Sequence, residues 1–418
     1  MPALRVRPSG PLSGSVRIGG AKNSVLKLLA ATLLAPGTYE LHNVPAIVDV
    51  DIMSELLRTM GCTVERSAAG VVRVVRPSSI TPEAPYELVE QMRASIVVLG
   101  PLLAREGRAR VSVPGGDDFG SRPIDMHLRG LEQLGARFTS AHGYIDAVAD
   151  DLVGARIVLE YPSLGATENA LMAAVLAKGT TVIDNAAREP EIWDLASFLN
   201  RMGARILGAG SGTITVEGVA AEDLAGVEHT VVPDRIEAAT YLAAVAVAGG
   251  EITLHGARLD HMDMYARKLG DMGVRVSPDP DGIWAMAPAR LRSVDVATLP
   301  YPGVASDYKP LLVAMLAVAD GVGIVTENIF RGRFRYVDEL VRMGADIRTD
   351  EHHAIVRGKD RLSGARVRAP DIRAGAALVV AGLRADGETV VHDSQHIDRG
   401  YEDLAGRLRS LGADVEDA

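Results

Sequence analysis

Six basic residues stand at positions where the sequence places helix entrances: Lys22, Arg93, Arg122, Arg333, Arg373 and Arg399. A cation at a helix N-terminus works against the macrodipole, at roughly 0.3–1 kcal/mol each, so helix formation does not account for them. Brought together, helix N-termini and these side chains would make an anion trap. Arginine outnumbers lysine in the set, which suits two-point grip on phosphate and carboxylate groups. A multiply charged ligand would relieve the repulsion among the cations. A second stretch with chemical potential runs Pro114-Gly115-Gly116-Asp117-Asp118-Phe119-Gly120-Ser121-Arg122-Pro123-Ile124-Asp125. The paired glycines read as a mobile turn, and no apolar periodicity resumes until a helix starting near Pro123. Asp117 would then ride on a lid at about 113–123, able to close over an anion and bring a proton donor with it.

The other charged helix entrances divide by residue type. Asp49, Asp234 and Asp371 have a plain role as helix caps. No Walker-type glycine loop, Rossmann fingerprint or Cys/His metal spacing is present, and neither a metal nor a cofactor is expected. His352-His353 reads as an exposed pair on a strand, and Cys62 as core packing.

What must position these residues is a repeat. A helix ending in Met/Leu-Gly-small recurs with its glycine at 61, 135, 203, 273, 344 and 412. A second marker, an alanine-rich helix running into glycine, recurs at 37, 107, 179, 250, 321 and 387. Two markers with one period of about 70 residues define six units. In the first, an apolar helix (Val25 to Leu34) meets a glycine, and the strand Thr38 to Leu41 follows. A second helix, Val48 to Arg58, comes next, then a strand pair, Thr63 to Glu65 and Val71 to Val75. Six α/β units split naturally into three and three, with the change-over near Val231-Val232-Pro233. The expected domains are 22–231, and 1–21 joined to 232–418, with an anion site in the cleft between them. The alternating stretches Leu4 to Val6 and Gly14 to Ile18 lack a repeat of their own and are expected to complete the sixth.

Composition narrows the function class. A net charge of −10 in 418 residues argues against broad nucleic-acid or membrane binding, so an anion must be held by a local pocket. Apolar runs such as Leu311 to Val318 are too short to span a bilayer. The first ten residues show no apolar leader core, and one cysteine fits a reducing, cytoplasmic setting. Oligomeric state is not legible.

The runs Gly19-Gly20-Ala21-Lys22-Asn23-Ser24, Pro114-Gly115-Gly116 with Arg122-Pro123, and His396-Ile397-Asp398-Arg399-Gly400-Tyr401 resemble the enolpyruvyl transferases, specifically the members acting on UDP-N-acetylglucosamine. Gly165-Ala166-Thr167-Glu168-Asn169, Arg188-Glu189-Pro190-Glu191 and Thr326-Glu327-Asn328 fit as well, and the resemblance extends from the N-terminus to Glu416. It implies an inside-out α/β barrel of two domains, each of three repeated α/β units. The implied reaction moves the enolpyruvyl group of phosphoenolpyruvate to the sugar 3-hydroxyl and releases phosphate, opening peptidoglycan synthesis. By the same resemblance Lys22, Asn23, Arg122, Arg333, Arg373 and Arg399 grip phosphoenolpyruvate. Asn23, Arg93, Arg122, Pro123, Ile124, Asp125, Met126, Ser163, Leu164, Asp307 and Ile329 line the sugar-nucleotide site. Asp117, Asp307, Lys22 and Arg399 carry the chemistry, with Asp307 as general base.

The chain departs from the family pattern at several points. Asp117 aligns with a residue that is usually cysteine, so it is the expected proton donor to the methylene carbon, with Asp118 the alternative. A free aspartate titrates near 3.9, and half-protonation at pH 7 needs a rise of ~3 pH units, about 4 kcal/mol. Arg122 opposes that rise; loop closure and a dianionic substrate favour it. Ala305-Ser306 replaces Pro-Thr ahead of Asp307, and Tyr308-Lys309 follows it. Tyr161-Pro162 replaces a basic residue, and Val97 a tryptophan. Two other readings stay open: the same transfer to another uridine nucleotide, and a non-catalytic nucleotide-sugar sensor. The related 5-enolpyruvylshikimate-3-phosphate synthases carry a Ser-Lys-Ser motif that Lys22-Asn23 does not match.

Overall fold

Both marker glycines of every repeat sit where a Cβ would be strained. Gly61, Gly135, Gly203, Gly273, Gly344 and Gly412 have φ from +84° to +120°, and Gly37, Gly107, Gly179, Gly250, Gly321 and Gly387 are positive as well. This is the left-handed backbone that favours glycine, which is why the period shows in the sequence. The computed structural model describes residues 2–114, 124–330 and 332–418. Among them the chain divides into two units, one from Gly20 to Val232, the other joining the chain start up to Gly19 with Pro233–Ala418.

Among the described residues six four-stranded sheets, three to a unit, share one plan. In the first repeat the order is Glu228–Thr230, Gly37–His42, Val72–Arg76, Thr63–Arg66. The first pair runs parallel and the other two antiparallel. The parallel edge strand normally ends the preceding repeat, as Glu83–Ala84 does for Arg108–Ser112, so the chain reaches the next strand through a helix. A parallel pair needs such a crossover. Glu228–Thr230, at the end of the Gly20–Val232 unit, returns to the first repeat and closes that unit's cycle.

That return leaves the fourth repeat without an edge partner, and the chain start supplies it. Leu12–Arg17 runs parallel to Gly250–His255 of the fourth repeat, not in the sixth where it was expected. Ala3–Val6 does enter the sixth, between Thr389–His392 and Val415–Asp417. The strand that should complete the last hairpin is thus the first strand of the chain.

The first helix of each repeat is mostly apolar and buried around most of its surface: Lys22–Ala31, Leu99–Glu106, Leu164–Ala174, Arg235–Ala248, Lys309–Ala317 and Ile372–Gly382. Helices of this kind belong in a core. In the Pro233–Ala418 unit, Arg235–Ala248, Lys309–Ala317 and Ile372–Gly382 pack against one another. The sheets lie outside and the helices inside, the inside-out α/β arrangement expected, with each four-stranded sheet a separate piece and Leu362–Ser363 pairing Ala385–Asp386 as a two-stranded one. Each unit has its own hydrophobic core. The second helices are amphipathic; Val48–Thr59 buries Val50, Met53, Leu56 and Leu57. Cys62 is buried, and burial pushes its thiol up to about 11. No helix among the described residues is long and apolar enough to cross a membrane.

Candidate functional site

In the Pro233–Ala418 unit, two of the expected cations converge on the expected base. Arg333 Nη2 donates to Asp307 Oδ1 at 2.9 Å, and Arg373 Nε stands 4.0 Å from the same oxygen. Both arginines are buried, while the Asp307 side chain keeps 32% of its surface accessible. Burial alone would raise the Asp307 carboxyl. Arg333 and Arg373 outweigh it, with help from Arg235, and hold the group well below the usual carboxylate range. Arg373 is aligned by the Tyr401 ring, 5.4 Å from its guanidinium carbon, and Tyr401 shares a 2.8 Å hydrogen bond with Thr240. Among the described residues, Arg373 Nη1 is buried with no hydrogen-bond partner. An ionised, reachable carboxylate beside two buried guanidinium groups puts a base and an anion site at one place, the base gaining strength once an anion takes over the guanidinium charge.

A fully buried ion pair supports this corner. Lys309 Nζ lies 2.8 Å from Glu327 Oε2, donates to the Arg333 carbonyl at 2.5 Å, and stands 3.9 Å from the centre of the Phe334 ring. Burial lowers the lysine to about 8 against the pull of Glu327. Burial would raise Glu327, yet Lys309 and two hydroxyls hold it below its ordinary value. Glu327 Oε1 also accepts the backbone N–H groups of Ile329 (2.8 Å) and Phe330 (3.1 Å). The expected sugar-nucleotide contact Ile329 is therefore fixed by a carboxylate two residues away.

The Gly20–Val232 unit carries the other described residues. Lys22 opens its helix, and its Nζ meets Asp49 Oδ2 at 2.7 Å, with Asp49 fully enclosed. Asp49 does not cap Val48–Thr59, which has no side-chain cap; its carboxylate is turned to Lys22. Asp234 and Asp371 do cap, each accepting two backbone N–H groups. Asn23 presents its carbonyl to Lys27 Nζ at 2.7 Å. Arg93 begins the 3-10 turn Arg93–Val98, and burial lowers its guanidinium. Ser163 caps the helix beginning at Leu164, while Ile124, Asp125 and Met126 stand half-buried at the start of Asp125–Gln133. Asn169 holds His127 Nδ1 at 2.8 Å and also bonds the backbone at Ile96 and Gly100. Burial, with Arg93 and Lys27, lowers His127 to about 4, so it is neutral at pH 7. Gly165 allows this approach, because a Cβ there would lie 2.8 Å from the His127 ring.

Some expectations need correction. Arg399 follows the one-turn helix Gln395–Asp398 as its C-cap, where the dipole favours a cation, instead of opening a helix. Arg333 precedes Val337–Arg342 within a turn and does not start it. Asp117, Asp118, Arg122 and Pro123, and so the lid assignment, lie outside the described residues. The roles of Arg235, Lys27, Glu168, Lys309 and Glu327 were not read from the sequence, although Glu168, Lys309 and Glu327 stand in the stretches compared with the family. Lys27, Glu168, Arg235 and Lys309 share one signal, a charge inside an apolar helical run, whereas Glu327 follows the strand Val322–Thr326. Among the described residues no group of three or more His, Cys, Asp or Glu could hold a metal ion.

Comparison with known proteins places this geometry. The model of the EPSP synthase (3-phosphoshikimate 1-carboxyvinyltransferase) family matches residues 6–408. A UDP-N-acetylglucosamine 1-carboxyvinyltransferase from Corynebacterium jeikeium is 53% identical over 405 residues, covering 97% of this chain and 96% of that one. Among solved structures, the enolpyruvyl transferase NikO from Streptomyces tendae superposes with a TM-score of 0.90 at 28% identity, covering 100% of this chain and 99% of NikO. An EPSP synthase from Acinetobacter baumannii gives 0.77 at 19% identity over the full length of both chains, a likeness of fold.

Proposed function

Because the chain belongs to the EPSP synthase (3-phosphoshikimate 1-carboxyvinyltransferase) family, we propose that it transfers the enolpyruvyl group of phosphoenolpyruvate to the 3-hydroxyl of UDP-N-acetylglucosamine and releases phosphate. The observation that carries this reading is the Asp307 carboxylate held by Arg333 and Arg373. Phosphoenolpyruvate brings a phosphate and a carboxylate, the groups those arginines grip, and Arg373 has a buried N–H to offer. Lys22, Asn23, Arg122 and Arg399 complete the set for the same substrate. Asn23, Arg93, Arg122 to Met126, Ser163, Leu164, Asp307 and Ile329 take the sugar nucleotide.

In the free protein Asp307 is too weak a base to hold a proton near neutrality. An anion that takes over the guanidinium charge raises its proton affinity, so base strength arrives with the substrate. Asp117 protonates the methylene carbon, C3, of phosphoenolpyruvate. The sugar 3-oxygen then bonds to C2 as its proton passes to Asp307. In the second half the new methyl group returns a proton to the Asp117 carboxylate. The C2–O bond to phosphate breaks, the departing phosphate takes the proton held by Asp307, and the enol ether forms. No metal or redox partner is needed for this balance.

The 53% identical relative weighs toward UDP-N-acetylglucosamine as acceptor. The full-length match to the enolpyruvyl transferase NikO supports the transfer itself, and a second reading keeps that transfer with another uridine nucleotide as acceptor. A non-catalytic nucleotide-sugar sensor would bind the sugar nucleotide and release no phosphate. The reaction would belong to peptidoglycan synthesis in the cytoplasm, a setting that the single buried cysteine suits. Phosphate release measured with phosphoenolpyruvate plus UDP-N-acetylglucosamine, with UMP and other uridine sugars as controls, tests the proposal. Release with another uridine nucleotide alone favours the second reading; no release with any of them sinks both.

A further inference from the structure

Ser306 precedes Asp307 and is buried, yet nothing in the reaction above uses it. Its hydroxyl lies between a carboxylate and a guanidinium: Oγ donates to Glu327 Oε2 at 2.7 Å, and Arg333 Nη1 donates to Oγ at 3.1 Å. A hydroxyl has one proton to give. Glu327 takes it, which leaves only lone pairs facing Arg333, so the direction of both bonds is settled by the charge of Glu327. Glu327 is itself held by Thr298 Oγ1 at 2.7 Å, Lys309 and two backbone N–H groups. Arg333 Nη2 then reaches Asp307. Both ends of the guanidinium edge are therefore fixed, one by Ser306 and one by the base.

We infer that Ser306 is a positioning residue that transmits the fixed geometry of the Glu327–Lys309 pair to Arg333, and so sets how Arg333 meets Asp307 and the anionic groups of phosphoenolpyruvate. The inference rests on the function proposed above. It assigns the hydroxyl at position 306 to aiming a substrate-binding arginine, and makes the Glu327 carboxylate, rather than any neutral acceptor, the reference point. A glutamine at 327 can present an N–H to Ser306 and compete with Arg333 for the same lone pairs.

The test is Ser306→Ala, with Ser306→Thr as the conservative variant that keeps the hydroxyl. Ser306→Ala leaves the Glu327–Lys309 pair and its backbone bonds in place. Losing one hydrogen bond to a charged group predicts a rise of about tenfold or more in KM for phosphoenolpyruvate. KM for the sugar nucleotide should stay within about twofold, and Ser306→Thr should restore the wild-type value to within about threefold. An unchanged KM for phosphoenolpyruvate in Ser306→Ala, or a loss that Ser306→Thr does not rescue, overturns the inference. A crystal structure of Ser306→Ala gives a readout independent of activity. There Arg333 should leave its 2.9 Å contact with Asp307, and an unmoved guanidinium refutes the positioning role even if the wild type proves to use other substrates. Should Ser306→Ala lose its melting transition, Ser306→Cys keeps the volume with a weak hydrogen-bonding group, and the same two measurements apply to it. Wild-type protein that releases no phosphate from the named pair counts against the proposed function and leaves the structural comparison to decide on Ser306.

Discussion

Glu168→Gln should stabilise the protein increasingly as pH rises. Glu168 is completely buried in the helix Leu164–Ala174. Lys27 Nζ stands 3.6 Å from Oε1, and among the described residues neither carboxyl oxygen has a hydrogen-bond partner. Burial raises the group from 4.5 to about 8; Lys27 opposes that rise, and Glu191 and Glu189 add to it. Between those two values the folded state keeps a proton that the unfolded state has released. Folding then takes up a proton, so stability falls with rising pH. One group contributes at most about 1.4 kcal/mol per pH unit. The loss is therefore near zero at pH 4.5, about 3 kcal/mol by pH 7, and about 5 kcal/mol above pH 8.

Glutamine has the same shape and does not titrate, so the difference between the two proteins isolates this group from every other carboxylate. The chain has two tryptophans. Trp193 lies on Pro190–Met202, in the same unit as Glu168, and Trp284 in the other. In a Trp284→Phe background, urea unfolding followed by Trp193 fluorescence reports the relevant unit. Measured from pH 5 to 8, the Glu168→Gln curve should diverge upward from wild type. Parallel stability curves across that range would refute the burial argument, and show that the carboxyl is solvated or paired on folding.

The remaining predictions concern the reaction. Asp307→Asn should lower kcat by about 10²–10⁴-fold, the usual contribution of a positioned base. Because Arg333 and Arg373 keep Asp307 ionised in the free protein, kcat/KM should show no limb from it between pH 5 and 8; a limb there that Asp307→Asn abolishes contradicts this. Asp117→Asn should nearly abolish turnover while sugar-nucleotide binding, read by calorimetry, stays intact; retained turnover points to Asp118. A carboxylate is a weaker nucleophile than a thiolate, so the epoxide fosfomycin should leave the protein's mass unchanged, and a covalent increase on Asp117 would show the opposite.

The repeat was legible because its markers are backbone requirements. Glycines forced to positive φ recur wherever the same turn recurs. The partner of Leu12–Arg17 was not legible, since an alternating stretch announces a strand and is silent on which sheet lacks an edge. Asp49 looked like a cap, and its real partner, Lys22, lies a whole helix and strand away in sequence. Arg399 was placed on the wrong end of a helix because the turn Gln395–Asp398 stops before it. The pairing of Lys309 with Glu327 was not legible for a related reason. A lysine opening an apolar run reads as one more helix entrance until the fold shows it enclosed, bound to the Arg333 carbonyl.

These partners alter the electrostatic argument made from the cations alone. Six unpaired charges would repel one another until a ligand arrived, yet Lys22 meets Asp49, and Arg333 and Arg373 meet Asp307, within their own units. Removing one member of such a pair leaves a buried charge uncompensated, at about 3–5 kcal/mol, so the acids hold the ligand-free state together. The same pairing means that an incoming anion must compete with Asp307 for its arginines. A singly charged anion offers little over the carboxylate already there. Phosphoenolpyruvate, with two anionic groups, can engage both guanidinium groups and free the carboxylate in one step. On this account, selectivity for a doubly anionic substrate and activation of the base are one exchange of partners at Arg333 and Arg373.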